Sequence, residues 1–197
     1  MKVHLCEQKS PEWHEVRKGK MTASHATAIG NHAKGLETYI TKMMSEYYSS
    51  GGGDMYINAD MERGNELEPI ARSLYEFEND LTVDEVGFIE HDEYVGASPD
   101  GLVGKDGGIE IKSINDLNYF LYLLNGEKEI SSDYIWQSQM NLLISKRKWW
   151  DLILYNPNYK KSMLVFRIYP DLDKFKELEI GFKMGIDMIK SIKSKIE

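Results

Sequence analysis

Two carboxylates and a lysine occupy one short stretch near the middle of the chain. Asp100 is followed by Glu110 and Lys112, and only Ile111 separates these two. Because side chains alternate along a strand, a strand over Glu110-Ile111-Lys112 directs both charged groups to one face and the apolar residue to the other. The glycine-rich turn over residues 104–108 folds the preceding segment back, which predicts a distance of about 5 to 8 Å between the two carboxylates.

Such a pair of carboxylates has the chemistry of a divalent-cation site. Together with the backbone carbonyl of Ile111 and water, the ligands are all oxygen, which suits Mg²⁺ or Mn²⁺. The ammonium of Lys112 beside the ion would orient or deprotonate a water, or stabilise negative charge on a phosphate. The alternative is an ordinary β-hairpin, in which Asp100-Gly101 belongs to a turn and Glu110 and Lys112 form a solvated face.

Composition excludes several other classes of protein. The 197 residues predict one domain over residues 1–197, and 42% hydrophobic with 11% aromatic residues exclude disorder as the main state. The single cysteine, Cys6, excludes internal disulfides, thiolate zinc sites and iron–sulfur clusters bound within one chain. No apolar run approaches the roughly 18 residues of a membrane span, and the first residues lack the apolar segment of a signal peptide. We therefore expect a cytoplasmic protein without a membrane partner.

The net charge of -8 disfavours non-specific adhesion to polyanions. It does not exclude a polyanion as substrate, because an enzyme that cuts phosphodiesters can gather carboxylates around cations and still present a local basic surface.

The elements that must position these residues follow from periodicity and capping signals. Ser10-Pro11 predicts a helix start, since serine caps helices and proline is favoured at their first position. Further helices are predicted over residues 22–26, 36–48, 60–79 and 132–144 and after Pro170, and strands over 82–89, 94–97, 108–114, 149–155 and 162–169. A mobile loop is predicted over residues 49–54. This order indicates an α/β (α+β) fold with a central mixed β-sheet flanked by helices.

Five ordered motifs carry a resemblance to a known family. They are the segments 13–24 (WHEVRKGKMTAS), 64–72 (GNELEPIAR), 98–102 (SPDGL), 110–112 (EIK) and 134–139 (YIWQSQ). Over residues 10–155 the chain resembles the lambda-type phage exonucleases of the YqaJ viral recombinase family. The resemblance implies the restriction-endonuclease-like nuclease fold, also called PD-(D/E)xK.

The resemblance also assigns metal ligands by position. Asp100, Glu110 and the Ile111 carbonyl match the family's metal ligands, Lys112 matches its catalytic lysine, and Glu68 matches a helix-borne acid that joins the metal site. From the residues alone, Glu68 is equally well explained as the i, i+4 partner of Arg72 on an exposed helix face.

The family's receptor for the DNA 5′ phosphate matches four further residues, which are Arg17, Ser24, Ser98 and Gln137. Arginine offers a two-pronged donor to phosphate, and a serine near a helix start adds a hydroxyl beside free N–H groups. Without the resemblance, Arg17 would be a surface partner of Glu12 or Glu15, and Ser24 would be a helix N-cap. Gln137 and Gln139 point about 200° apart on a helix, so only one of them faces the cleft. Gln137 is favoured because it shares a helix face with Tyr134 and Asn141.

The implied activity is a Mg²⁺-dependent 5′-to-3′ exonuclease that digests linear double-stranded DNA from 5′-phosphorylated ends for phage-type recombination. The resemblance implies two Mg²⁺ ions per site, with Mn²⁺ as a substitute, a homotrimeric ring, a single-strand annealing protein as partner, and a phage or prophage origin in the bacterial cytoplasm. The alternatives are an endonuclease of the same fold and an inactive module that binds DNA or protein. Asp92 stays open as a further acid.

Overall fold

The computed structural model describes residues 1–49 and 59–197. The helices are α1 (Pro11–Arg17), α2 (Ala26–Asn31), α3 (Lys34–Tyr48), α4 (Ala59–Asn79), α5 (Asp116–Asn125), α6 (Ser132–Ser145) and α7 (Leu172–Ile196), with 3-10 turns at Ala23–His25 and Gly126–Glu129. The strands are β1 (Lys2–His4), β2 (Met21–Thr22), β3 (Val83–Asp84), β4 (Phe88–Glu90), β5 (Val95–Ala97), β6 (Gly101–Val103), β7 (Gly107–Ser113), β8 (Trp149–Tyr155) and β9 (Met163–Ile168). The loop predicted over 49–54 lies, apart from Ser49, outside the described residues.

The strands form two mixed sheets. The larger has the order β3-β6-β7-β8-β9, with β7 and β8 parallel and its other pairs antiparallel. The smaller has the order β1-β4-β5-β2, in which only β5 and β2 run parallel. The predicted mixed sheet flanked by helices is thus present as the larger sheet, and the smaller one is added beside it.

Helices cover both faces of the larger sheet. On one face, Ala71 and Tyr75 of α4 pack with Ile109 and Ile111 of β7. On the other face, α6 contributes Trp136, Met140, Leu142 and Ile144 to the cluster that contains Trp150, Leu152 and Leu154 of β8. Because both faces of β7 and β8 are covered, these strands are nearly continuously buried, as expected for a parallel pair.

Local signals fix the ends of several helices. The Ser10 hydroxyl accepts a hydrogen bond from the Trp13 N–H at 3.2 Å, and Pro11 opens α1 as predicted. Asn115 caps α5 and Ser131 caps α6 in the same way. Pro69 lies in the interior of α4, so the long helix predicted from residue 60 tolerates its proline.

The strands predicted over residues 82–89, 94–97 and 108–114 do not pair in succession within one sheet, because β5 lies in the smaller sheet and β7 in the larger one. The segment expected as one strand over 82–89 is two strands, β3 and β4, which belong to different sheets. The break falls at Gly87, where a Cβ atom would lie 2.2 Å from the Cys6 carbonyl oxygen, so the chain crosses there against the N-terminal segment. The N-terminal strand β1 and the short strand β6 were not predicted from the sequence.

Within the described ranges, no helix combines the length and the apolar character that a membrane span requires.

Candidate active site

All nine residues predicted for the site line one cavity of about 470 Å³. They come from four regions of the chain: α1 with the following 3-10 turn, α4, the hairpin of β6 and β7 with the residues before it, and α6. The members are Arg17, Ser24, Glu68, Ser98, Asp100, Glu110, Ile111, Lys112 and Gln137. The structure therefore brings together, in one cavity, the residues to which the resemblance assigns metal binding and phosphate binding.

Glu110 accepts more hydrogen bonds than Glu68 or Asp100, the other two acids in the cavity. Its side chain is 3% exposed, and the Lys112 ammonium donates to its Oε1 at 2.8 Å. From α6, the Gln137 amide donates to the same oxygen at 2.5 Å and the Asn141 amide donates to Oε2 at 3.2 Å. The alternation predicted along β7 is confirmed, and the solvated-hairpin alternative is wrong because Glu110 is buried under a helix.

Lys112 is held as a cation. Burial lowers its pKa, but the charges of Glu110 and Asp100 raise it by more, so that the pKa lies above its ordinary value. This direction favours the ammonium as a stabiliser of negative charge over its use as a base. The ring of Tyr134 lies 5.5 Å from Nζ and adds a second stabilising contact to the cation.

Asp100 is repelled by the charges of both Glu110 and Glu68. Burial and the charge of Glu110 raise the pKa of Asp100 to about 7, against the opposing effects of Lys112, the Ile111 N–H and Arg72. Burial and the charge of Asp100 raise the pKa of Glu68 to about 6, although Arg72 donates to Glu68 at 2.5 Å. A cation bound between such carboxylates would relieve their repulsion.

The donor set fits Mg²⁺ by its chemistry, because three carboxylates and the Ile111 carbonyl are hard oxygen ligands. In the described parts of the chain, no three acidic, histidine or cysteine side chains converge closely enough to form a ready-made metal site. Each acid is instead hydrogen-bonded to a protein group: Glu68 to Arg72, Asp100 to the Ile111 N–H at 2.6 Å, and Glu110 to Lys112.

Arg17 lies in the same cavity, and none of the described acidic residues forms an ion pair with it. Its guanidinium donates to the Ser98 hydroxyl at 2.7 Å and stacks 4.0 Å from the centre of the Trp13 ring. Burial lowers its pKa to about 10. Among the residues described, the ion pairs include none between Arg17 and Glu12 or Glu15, so the surface-pair alternative is wrong.

Ser24 lies within the 3-10 turn and is not a helix cap. The residues at the N-cap positions are Thr22 for the turn and His25 for α2, and neither makes a side-chain cap hydrogen bond. The Ser24 hydroxyl contacts Thr22 Oγ1 and His25 Nδ1, each at 3.2 Å. It is exposed and lines the cavity.

Gln139 and Asp92 lie outside the site. Gln139 accepts from the Asp171 N–H and donates to the Tyr169 carbonyl, where it fastens α6 to the start of α7. Asp92 is exposed in the turn between β4 and β5, where it accepts from the Tyr94 N–H at 2.8 Å. The preference for Gln137 over Gln139 on helical spacing agrees with this placement.

Sequence reasoning missed several residues that shape the cavity. Gln8 donates to the carbonyls of Val86 and Pro99 and so supports the strand end that carries Asp100. Lys9 donates to Asn65 at 2.7 Å and closes the side near Glu68. The spacing of Asn141, one helical turn after Gln137, indicates that the two share a helix face. No periodic pattern in the sequence indicates a role for Gln8 or Lys9.

Comparison with solved structures defines the class of protein. The structure of LHK-Exo in complex with dAMP superposes with a TM-score of 0.84 and 32% sequence identity, over 92% of this chain and 93% of that chain. A second structure, of the alkaline exonuclease LHK-Exo from Laribacter hongkongensis, superposes with a TM-score of 0.81 and 31% sequence identity, over 94% of this chain and 97% of that chain. A phage-related exonuclease from Haemophilus somnus, with a TM-score of 0.68 and 14% identity, shares the fold. The chain has the restriction-endonuclease-like fold of these exonucleases.

The family follows from the sequence match. The family sequence model of the YqaJ-like viral recombinase domain matches residues 12–148 of this chain, and the chain belongs to this family. An uncharacterized protein of Acanthamoeba polyphaga mimivirus is 29% identical over 107 residues, which are 53% of this chain and 19% of the viral protein. The chain thus spans about a fifth of that relative. The similarity of this chain to the alkaline exonuclease structures supports a nuclease role.

Proposed function

We propose that the protein is a Mg²⁺-dependent exonuclease that degrades linear double-stranded DNA from 5′-phosphorylated ends in the 5′-to-3′ direction. One observation carries the proposal: the half-buried Arg17, which has no acidic partner among the described residues, shares a cavity with a cluster of carboxylates. A partly desolvated guanidinium that has no carboxylate partner is suited to an anionic ligand, and it can bind a phosphate through two hydrogen bonds, in a bidentate manner. A phosphate receptor beside a cation-binding cluster supports cleavage close to a DNA end.

The acids of the cavity supply the oxygen ligands expected of a metal-dependent cleavage centre. Glu68, Asp100, Glu110 and the Ile111 carbonyl would hold Mg²⁺, two ions by resemblance and with Mn²⁺ as a substitute. When bound, such ions supply Lewis acidity, a nucleophile at neutral pH and stabilisation of the leaving oxygen.

The surrounding side chains set the geometry of that centre. Gln137 and Asn141 fix the two oxygens of Glu110 by hydrogen bonds from one face of α6. The Lys112 ammonium, 2.8 Å from Glu110, places a positive charge where negative charge develops on the transferred phosphate. Arg17, Ser98 and Ser24 would orient the terminal phosphate so that the next phosphodiester reaches the acids. In the reaction, water oxygen bonds to phosphorus, the bond from phosphorus to O3′ breaks, and O3′ takes up a proton.

The proposal includes the biological setting that the resemblance implies. The 3′ single strand left by digestion would pass to a single-strand annealing protein in phage-type recombination. The enzyme would act as a homotrimeric ring in the cytoplasm of a bacterial host that carries the phage or prophage.

The test is digestion of one duplex in three forms: with a 5′ phosphate, with a 5′ hydroxyl and as a covalently closed circle. Each is incubated in Mg²⁺ or EDTA with the wild type, Glu110→Gln and the matched surface variant Glu127→Gln. We expect 5′ mononucleotides only from the phosphorylated end, none in EDTA, none with Glu110→Gln, and normal release with Glu127→Gln. Cleavage of the closed circle would instead establish an endonuclease, and DNA binding without product by folded protein in Mg²⁺ would establish a binding module.

A further inference from the structure

A second cavity lies on the other side of Arg17. Its volume is about 640 Å³, within the range of about 300 to 1,000 Å³ that small-molecule sites occupy. Arg17 and Thr22 line both this cavity and the one that holds the acids. The two cavities are therefore neighbours that meet at the proposed receptor for the terminal phosphate.

The second cavity is basic although the protein is acidic overall. Its lining contains four cationic side chains, Arg17, Lys18, Lys20 and Lys42, and two acidic ones, Glu15 and Glu46. The whole chain, in contrast, has a net charge of -8. A local excess of positive charge on an acidic protein favours an anionic ligand at this place.

Two of these lysines are available to such a ligand. Lys18 is exposed, its ammonium lies 5.5 Å from the centre of the Tyr47 ring, and it forms no ion pair with an acid in the described parts of the chain. Lys42 is 78% exposed and lies 4.0 Å from the exposed Glu46, an interaction that contributes little. Lys20 is different, because it donates to the Glu93 carbonyl at 2.7 Å.

The cavity also presents a flat aromatic surface. The rings of His25 and Tyr39 stack with centres 4.1 Å apart and planes inclined by 8°. His25 is the exposed member of the pair, and both rings line the cavity. Burial and the charges of Arg17 and Lys42 lower the pKa of His25, which favours the neutral imidazole and a stacking role. Stacking platforms beside cationic groups are typical of sites for single-stranded nucleic acid.

The order of the groups gives the site a direction. A strand that places its scissile phosphodiester at Asp100 and Glu110 and its preceding phosphate at Arg17 continues, on the 5′ side, toward the second cavity. We propose that this cavity binds one unpaired nucleotide attached to the 5′ side of the phosphate held by Arg17, with Lys18 and Lys42 contacting its phosphate and His25 contacting its base. The enzyme then accepts 5′-extended ends and releases a 5′-phosphorylated dinucleotide first. This inference rests on the proposed function.

The binding test separates this inference from the proposed activity because it needs no cleavage. Fluorescence anisotropy in EDTA compares a 5′-phosphorylated blunt duplex with the same duplex that carries one extra unpaired 5′ nucleotide. For the extended end, Lys18→Gln/Lys42→Gln is expected to weaken binding by on the order of tenfold and to lower the slope of log Kd against log salt by about one for each phosphate that the variant no longer binds. The blunt duplex serves as the reference, and Lys105→Gln, an exposed lysine in the turn between β6 and β7, is the matched control.

Two further arms address the base and the product. An abasic extra nucleotide lacks the base that stacks on His25, so its affinity is expected to be about 5- to 150-fold lower, while it keeps its dependence on the two lysines. In Mg²⁺, the first product from the extended end is expected to be a dinucleotide, whereas the blunt end gives a mononucleotide.

Equal loss of affinity for blunt and extended ends in the double variant would overturn the inference. A mononucleotide as the first product of the extended end would also overturn it. If a blunt end with a 5′ triphosphate depends on the two lysines and the extended end does not, the cavity binds polyphosphate and the proposed nucleotide ligand is wrong. Failure of the blunt duplex to be digested, in contrast, contradicts the proposed function and leaves the binding result to decide the inference.

Discussion

Asp100 is expected to destabilise the folded protein when no cation is bound. Its pKa is raised from 3.8 to about 7, chiefly by burial and then by the charge of Glu110. Because the unfolded chain has the lower pKa, it binds fewer protons between these two values, and stability falls as the pH rises. Replacing the carboxylate by an amide removes this cost, while the amide oxygen can still accept from the Ile111 N–H.

The magnitude follows from the size of the shift. About three pH units at about 1.4 kcal/mol per unit give an upper limit of about 4 kcal/mol. Asp100 is half-buried at the cavity wall, so solvent screening reduces this to about 2 kcal/mol. For a protein of this length, 1 kcal/mol corresponds to about 2 to 4 °C in Tm, which predicts that Asp100→Asn raises Tm by about 4 to 8 °C.

The assay is thermal unfolding in EDTA across the pH range, with Asp106→Asn as control. Asp106 is an exposed acid in the turn of the same hairpin, paired with Lys148 at 3.1 Å, and its replacement is expected to change stability by less than about 0.5 kcal/mol. The gain from Asp100→Asn should be absent near the unfolded pKa, grow with pH, and level off above the folded pKa. Added Mg²⁺ should stabilise the wild type more than the variant. A variant less stable than the wild type at high pH in EDTA would refute the argument.

Three other predictions concern separate parts of the molecule. Arg17→Met should abolish the preference for a 5′ phosphate over a 5′ hydroxyl in single-turnover digestion while the protein stays folded; a retained preference would place the phosphate elsewhere. Asp171→Ala removes the cap that accepts from the N–H groups of Asp173 and Lys174, and should cost about 1 kcal/mol of stability at neutral pH. A hydrogen bond from the Lys174 N–H lowers the pKa of Asp171, so the stability that Asp171 contributes is present above its unfolded pKa and is lost as the pH falls through its folded pKa. In denaturant unfolding, the wild type and Asp171→Ala should therefore have the same stability in acid. Tyr75→Phe removes the 2.7 Å hydrogen bond to buried Asp151 and should cost about 1 to 3 kcal/mol in the same assay, and a neutral result would show that Arg167 satisfies this acid alone.

The cleavage motif was predictable because its geometry is local. Alternation along β7 places Glu110 and Lys112 on one face, and a short turn returns Asp100 beside them. The one-turn spacing of Glu68 and Arg72, or of Gln137 and Asn141, likewise fixes which side chains share a helix face. Such relations depend only on backbone periods, which the sequence pattern reveals.

The helix α5 and the strands β1 and β6 show where local patterns fail. Residues 119–124 are continuously apolar, so they lack the period that separates a helix from a strand. The strands β1 and β6 have three residues each, and they exist because a partner strand pairs with them.

The sequence by itself determined the residue types of the site, the strand and helix faces that carry them, and, through ordered motifs, the family. Only the tertiary structure decided that Arg17 has no acidic partner within the described part of the chain and shares one cavity with Glu68 and Asp100, which lie far away along the chain. It also decided the raised pKa values of these two acids and the position of the second cavity beyond Arg17. The physical reason is that burial and electrostatic repulsion depend on distances through space, and a linear pattern fixes such distances only within one helix or one hairpin.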